Sequence, residues 1–174
     1  MSAEVCPHHF TLCSDDMPLG DTNYKMNPPL RTREDVEALR QGLKEDIIDV
    51  IATDHAPHAK EEKNDSMLRA PFGIVGLETA AALTYSELVL GGYLTVMQMA
   101  EKMSYHPARV LGIDKGSLQE GKTADIVIFD PEKTYTIDAA GFASKSRNTP
   151  FHGRQVTGAV RATIAGGEVI YQAR

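Results

Sequence analysis

The sequence predicts an α/β protein in two parts, a strand-and-helix piece over residues 1–112 and a small β domain over 113–174. Three observations carry this expectation. The run Ile47-Ile48-Asp49-Val50-Ile51-Ala52 is short and largely apolar, as suits a strand covered on both faces in a parallel sheet. Helical patterns flank it, one opening after Thr32 and others over about 75–91 and 95–104. From Gly116 onward the periodicity changes, with Ser117-Leu118 and Ile126–Phe129 as short strands around Gly121, and alternation over Val156–Tyr171.

In chain order, Ser2–Phe10 reads as a short strand running into a polar loop. Asp15–Pro29 has loop chemistry, with Gly20, Asp21, Asn23 and three prolines. Thr32 is a helix N-cap candidate, with Asp35 three residues on and Val36, Leu39 and Leu43 on one face. Residues 59–70 (AKEEKNDSMLRA) are polar and aperiodic, and are expected to form a mobile surface loop. His106-Pro107-Ala108 opens a further short helix that ends near Leu111-Gly112.

Composition excludes several classes. A net charge of -6 and a pI near 5.5 argue against a nucleic-acid or anionic-membrane surface. Apolar stretches such as Ala80–Leu83 and Ile126–Phe129 are far too short to cross a bilayer. MSAEVCPHHF has no basic start followed by an apolar core, so it does not read as a secretory signal, and a cytoplasmic location is expected. Cys6 and Cys13 are then expected as free thiols. Structural zinc is not expected, because the cysteines lack CxxC spacing and His8 and His9 are adjacent. On a strand, adjacent residues point to opposite faces, so a packing role suits these histidines better than a ligand pair.

Chemistry concentrates in Thr53-Asp54-His55-Ala56-Pro57-His58, at the end of the apolar run. In barrels of alternating strands and helices, catalytic groups cluster where strands end, because those loops face a shared mouth. There Asp54 can ligate a divalent ion and exchange protons with water, with histidines at +1 and +4. The bland alternative is a capping aspartate beside solvated histidines, and for a lone DHxxH that alternative is the stronger one. Two other segments shift the balance. Met26-Asn27-Pro28-Pro29-Leu30-Arg31 sets an amide between rigid turns, and Ala70-Pro71-Phe72-Gly73 offers backbone groups beside a glycine where a planar ligand can approach.

Taken together, MNPPLR, DVIATDHAPH and APFGIVGLE resemble the bacterial type I dihydroorotases of the cyclic amidohydrolase family, in residues and in order. GSLQEGKTADIVIFDP is similar to the strand pair beside the barrel in that family, and SAEVCPHHF to its penultimate barrel strand. The resemblance implies that residues 1–112 are the last two strands and following helices of a TIM-type (β/α)8 barrel, and that 113–174 are part of a small β-sandwich. It implies a binuclear zinc centre, Asp54 as metal ligand and catalytic acid and base, and Asn27, His58, Phe72 and Gly73 as substrate-binding residues. The implied substrates are N-carbamoyl-L-aspartate and L-dihydroorotate. A homodimer and an association with aspartate transcarbamoylase are the implied partners. Glu4 lies where animal relatives place a glutamate near an extra zinc. His55 is assigned to supporting Asp54, His106 and His152 to structure, and Met97, Met99 and Met103 to the core.

The family's HxH pair is absent from this sequence, and the bridging carboxylated lysine or aspartate and two further histidines have no place in it. A complete barrel needs about 250 residues. The chain is therefore expected to be a C-terminal fragment, inactive alone and with an incomplete zinc site. Two other readings remain: a non-catalytic partner of aspartate transcarbamoylase, and a hydantoinase- or allantoinase-type amidohydrolase. Retention of Asp54, Asn27 and His58 weighs against the first, and Asn27 with His58 against the second.

Overall fold

A computed structural model describes residues 1–173 as a mixed α/β structure. Strand β1 (Glu4–Val5) pairs in parallel with β2 (Val50–Ile51), Glu4 opposite Val50 and Val5 opposite Ile51. The strand expected over Ser2–Phe10 is cut short by helix α1 (Pro7–Thr11). The cause is local: Cys6 is extended, and Pro7 takes the first helical position, where its missing N–H leaves no bond unmade and its fixed φ suits the turn.

Helix α2 (Arg33–Lys44) forms as the sequence dictates. Thr32 accepts from the Asp35 N–H and Asp35 accepts from the Thr32 N–H, so two otherwise orphaned donors are satisfied reciprocally. Its Val36, Leu39 and Leu43 face turns inward, with Leu43 fully buried. A short α3 (Lys60–Lys63) sits in the segment expected to be an aperiodic loop. Helix α4 (Ala80–Thr84) runs on through a π-helical turn, Tyr85–Val89. Helix α5 (Val96–Ala100) likewise passes through a π-turn, Glu101–Tyr105, into α6 (His106–Leu111), which ends on left-handed Gly112. Of the three methionines assigned to the core, Met99 is buried and Met103 packs half-buried against the cluster around β1 and β2, whereas Met97 is exposed.

The C-terminal part is an antiparallel sheet of β3 (Ile126–Thr136), β4 (Gln155–Ala165) and β5 (Glu168–Gln172), in that order. Ser117-Leu118 forms no strand. β3 outlasts the expected Ile126–Phe129 by running through Pro131, which cannot donate to the ladder. The register slips there, between Asp130 and Thr134, and the Asp130 carboxylate takes the N–H groups of Glu132 and Lys133.

Two apolar clusters hold these pieces. One packs Val5, Phe10, Leu43, Ile48, Ile51, Leu88 and Leu94 around the β1–β2 pair. The other joins Leu12, Met26, Leu30, Ile74 and Leu83 to Ile137, Phe151 and Val156, so the packing is continuous across residue 113. Tyr85 meets Phe129 edge-on at 5.3 Å over Gly158, where a Cβ would come within 2.4 Å of the Phe129 ring. Lys102 is buried, its Nζ donating to the Ile48 carbonyl at 2.7 Å and to Asp46 at 2.9 Å, which anchors the π-turn to the chain entering β2.

Candidate active site

Both parallel strands deliver their chemistry at their C-terminal ends. Cys6 follows β1, and Thr53 and Asp54 follow β2. Asp54 is exposed and adopts φ 47°, the left-handed region that most L-residues avoid and that aspartate and asparagine tolerate best. Strained backbone of this kind persists where neighbours fix it, and it recurs at functional sites. Here the neighbour is His55, which forms a parallel bridge with Ile74 and whose Nδ1 accepts from the Gly76 N–H at 3.0 Å. His55 thus supports Asp54 through the backbone rather than by a side-chain contact. Among the described residues, no hydrogen-bond donor reaches the Asp54 carboxylate.

The loop after Asp54 lies against the segment 70–76. The Ala56 N–H donates to the Ile74 carbonyl at 2.8 Å, and His58 Nε2 sits 2.9 Å from the Phe72 carbonyl oxygen. His58 Nδ1 is 3.6 Å from Glu62 at the end of α3's first turn. Gly73 is required where it stands: its φ is 115°, and a Cβ would fall 2.5 Å from that of Ala56. Its N–H donates to the Lys25 carbonyl, which ties the chain two residues before Asn27 to the same loop. Asn27 itself is exposed at a cis Asn27–Pro28 bond, and the Pro28 carbonyl lies 2.8 Å from His9 Nε2. The structure thus brings His58, Phe72 and Gly73 into direct contact, with Asn27 linked to them only through backbone. Phe72 is 56% exposed, and Lys25 Nζ stands 4.5 Å over its ring.

Two residues that hold this arrangement went unnoticed in the sequence. Lys63, inside the polar stretch 59–70, is buried, and its Nζ donates to the carbonyls of Pro71 and Gly73, both at 3.1 Å. Burial lowers its pKa, Lys25 lowers it further, and Asp21 partly opposes them. Asn148, 5% exposed, comes from the segment between β3 and β4. Its Oδ1 accepts from the His58 N–H at 3.2 Å, and its Nδ2 donates to the carbonyls of Ala56 at 2.9 Å and Gly73 at 3.2 Å. One amide side chain therefore clamps both loops. An open cleft of about 610 Å³ borders this clamp, lined by Asp21, His58, Lys60, Lys63, Arg147 and Asn148 among others. It touches His58 but not Asp54, Asn27, Phe72 or Gly73, so it is not by itself the expected substrate pocket.

The histidines after β1 do not point to opposite faces. They lie on a helical turn, where neighbours differ by about 100° rather than 180°, and their rings are 4.2 Å apart. His106 and His152 are structural as expected, His106 Nδ1 against the Asp49 carbonyl and His152 Nδ1 accepting from the Ala139 N–H. Cys6 and Cys13 are both free and buried.

Known proteins give this geometry its relatives. The model of the amidohydrolase family matches residues 7–170. The dihydroorotase of Pelotomaculum thermopropionicum is 57% identical over 175 residues, covering 100% of this chain and 41% of that protein. The dihydroorotase of Bacillus subtilis is 52% identical over 172 residues, covering 99% and 40%. Among solved structures, the L-hydantoinase (dihydropyrimidinase) from Arthrobacter aurescens superposes with a TM-score of 0.91 at 32% identity, over 98% of this chain and 39% of that one. A D-hydantoinase (dihydropyrimidinase) from Thermus sp. gives 0.91 at 26% identity, with the same coverage. The chain spans about two fifths of the length of these relatives. With the family model matching nearly its whole length, this chain belongs to the amidohydrolase family.

Proposed function

We propose that this chain supplies the last two strand ends of a dihydroorotase barrel, and that the complete enzyme interconverts N-carbamoyl-L-aspartate and L-dihydroorotate. The observation that carries this reading is the strand-end Asp54 with left-handed backbone, followed within four residues by a histidine held against the Phe72–Gly73 loop. The 57% identity to a dihydroorotase across the whole chain supports it.

Asp54 fits a metal ligand, being exposed and free of competing donors among the described residues. Catalytic zinc normally takes three or more protein ligands, so Asp54 is one member of a set whose other members lie outside this sequence. Bound zinc would polarise the cyclic amide carbonyl and make water more acidic. Asp54 takes a proton from the water that attacks the carbonyl and delivers it to the amide nitrogen as the C–N bond breaks. In the ring-closing direction it takes the proton from that nitrogen and returns it to the departing water. His58 and Asn27 hold the substrate carboxylate and ring. The Phe72 N–H is uncommitted among the described residues and the Phe72 carbonyl keeps one lone pair beside His58, so Phe72 remains able to pair with a ring amide. The Gly73 carbonyl, by contrast, already accepts from Lys63 and Asn148, and the Gly73 N–H is given to Lys25.

The hydantoinase-type reading draws on the superposed structures, and substrate preference separates the two. The complete enzyme is expected to turn over dihydroorotate in preference to hydantoin or dihydrouracil. Asp54→Asn tolerates the same backbone conformation but removes the proton carrier, so kcat should fall by about 10²–10⁴ or more. His58→Ala should keep its metal and lose kcat/KM. Near-normal dihydroorotate turnover by Asp54→Asn would refute the assignment.

A further inference from the structure

Among the described residues, Cys6, His8 and His9 form a group whose ligating atoms all lie within 4.8 Å of one another. Cys6 and His8 are buried and His9 is half-buried, so the group opens to solvent on the His9 side. We propose that these three side chains form a binding site for one zinc ion, separate from the centre to which Asp54 belongs, with the fourth position left to water.

Three features of the structure point to a ligand here. His8 is 2% exposed, and among the described residues its Nε2 has no hydrogen-bond partner. A buried polar atom left unmatched is unfavourable, and a metal ion satisfies an imidazole lone pair where no donor is present. His9 is arranged as metal-bound histidines usually are: Nε2 is set against a backbone carbonyl, that of Pro28 at 2.8 Å. That contact fixes the proton on Nε2 and leaves the Nδ1 lone pair free to ligate. The donor set, one thiolate and two imidazoles, suits a borderline-soft ion such as zinc rather than magnesium or calcium.

The geometry needs only modest adjustment. With Zn–N of about 2.0 Å and Zn–S of about 2.3 Å, tetrahedral ligands stand about 3.5 Å apart. Side-chain rotation of about 1 Å closes the present spacing. The helical turn begun by Pro7 is what makes this feasible, because it brings His9 back toward Cys6 three residues earlier, with the ligating atoms of all three residues within 4.8 Å. The Asp54 and Glu4 carboxylates near Cys6 would offset part of a bound cation's charge. Burial, then the negative charges of Asp54 and Glu4, push the Cys6 thiol up to about 12, and burial pushes His8 down to about 3. Both ligands are therefore neutral at pH 7 without metal, and zinc binding must release the thiol proton. The balance is one zinc bound, one S–H bond broken and one proton delivered to buffer.

Binding at this site is independent of the proposed reaction. Its test uses the reduced, chelator-stripped 174-residue chain, titrated with Co²⁺ and then Zn²⁺ at pH 7.5. One Co²⁺ per chain is expected, with a thiolate-to-cobalt charge-transfer band and the strong visible bands of four-coordination. Zn²⁺ should erase both, and calorimetry in buffers of differing ionisation heat should show one proton released per metal bound. Cys6→Ser should abolish the charge-transfer band and weaken binding at least tenfold. His9→Gln, at the half-exposed ligand, should weaken it comparably while circular dichroism stays unchanged, which covers a folding failure of Cys6→Ser. Asp54→Asn should keep the band. Cobalt binding without the band, a band that survives in Cys6→Ser, or its loss in Asp54→Asn would each overturn the proposal.

Discussion

Replacing Asn148 by alanine removes three hydrogen bonds from the loops that carry His58, Phe72 and Gly73. Their loss is unequal. The Gly73 carbonyl keeps Lys63 Nζ at 3.1 Å, so it is not orphaned. Among the described residues, the His58 N–H and the Ala56 carbonyl have only Asn148. A buried backbone group left without a partner costs about 1–3 kcal/mol, and the cleft beside Asn148 lets water recover part of that. The expected destabilisation is therefore about 2–4 kcal/mol, read from urea denaturation at pH 7. Hydrogen exchange supplies the local readout. Protection of the His58 amide should collapse, whereas the Val75 amide should keep its protection because it donates to the Asn148 backbone carbonyl. Asn148→Asp should be worse and should depend on pH. The new carboxylate would face the Ala56 and Gly73 carbonyls, which favour its protonated form, so its folded pKa lies above the unfolded value of about 3.9. The folded state then binds the extra proton, and stability falls as pH rises from about 4 toward 7. A loss below about 0.5 kcal/mol in Asn148→Ala, with His58 protection intact, would refute the clamp.

Gly73→Ala should destabilise by about 2 kcal/mol or more, since the new methyl meets Ala56 at 2.5 Å on a backbone with φ 115°; a denaturation midpoint equal to the parent's would contradict this. Thr32→Ala should cost about 1 kcal/mol through loss of the α2 cap, and Thr32→Ser should restore most of it in the same measurement. Lys63 is charged where its surroundings disfavour charge, so its folded pKa lies below the unfolded value of about 10.4. The unfolded chain then binds the extra proton, and stability should rise as pH climbs through the folded pKa toward that value. In Lys63→Met this part of the rise should vanish, and an unchanged alkaline profile would rule the mechanism out.

The parts of this molecule that could be read from sequence are those set by neighbours along the chain. Thr32 and Asp35 stand three apart, and their capping box needs nothing else. Asp54 follows an apolar run, so its place at a strand end was legible, though its positive φ was not. The Pro7 turn carried a local signal too, a proline just inside a helix start, but the strand reading of 2–10 masked it. What escaped was set at long range. Asn148 meets Ala56 and His58 across 92 and 90 residues of chain, and Lys63 looks like any solvated lysine until its carbonyl partners are placed. The same blindness hid the Cys6, His8 and His9 group, because adjacency excludes a ligand pair on a strand but not on a helical turn.

The placement of Asn148 also bears on what the C-terminal sheet does. Glu87 accepts from Arg40 of α2 and from Arg154 before β4, both at 2.6 Å, and Ser86 exchanges hydrogen bonds with the Thr157 backbone. Ile137, Phe151 and Val156 share one apolar cluster with Leu12, Met26 and Ile74. These contacts fix the chain on either side of Asn148, and hence the angle at which its amide meets the Ala56–His58 and Gly73 loops. A substitution within that packing, such as Phe151→Ala, has no route to touch substrate. It should still loosen the His58 loop, because the clamp is only as rigid as the core beneath it. Loss of His58 amide protection in Phe151→Ala, with the β1–β2 pair still protected, would locate the support of the site in the C-terminal segment. Equal loss at both places would mean that the two apolar clusters unfold as one.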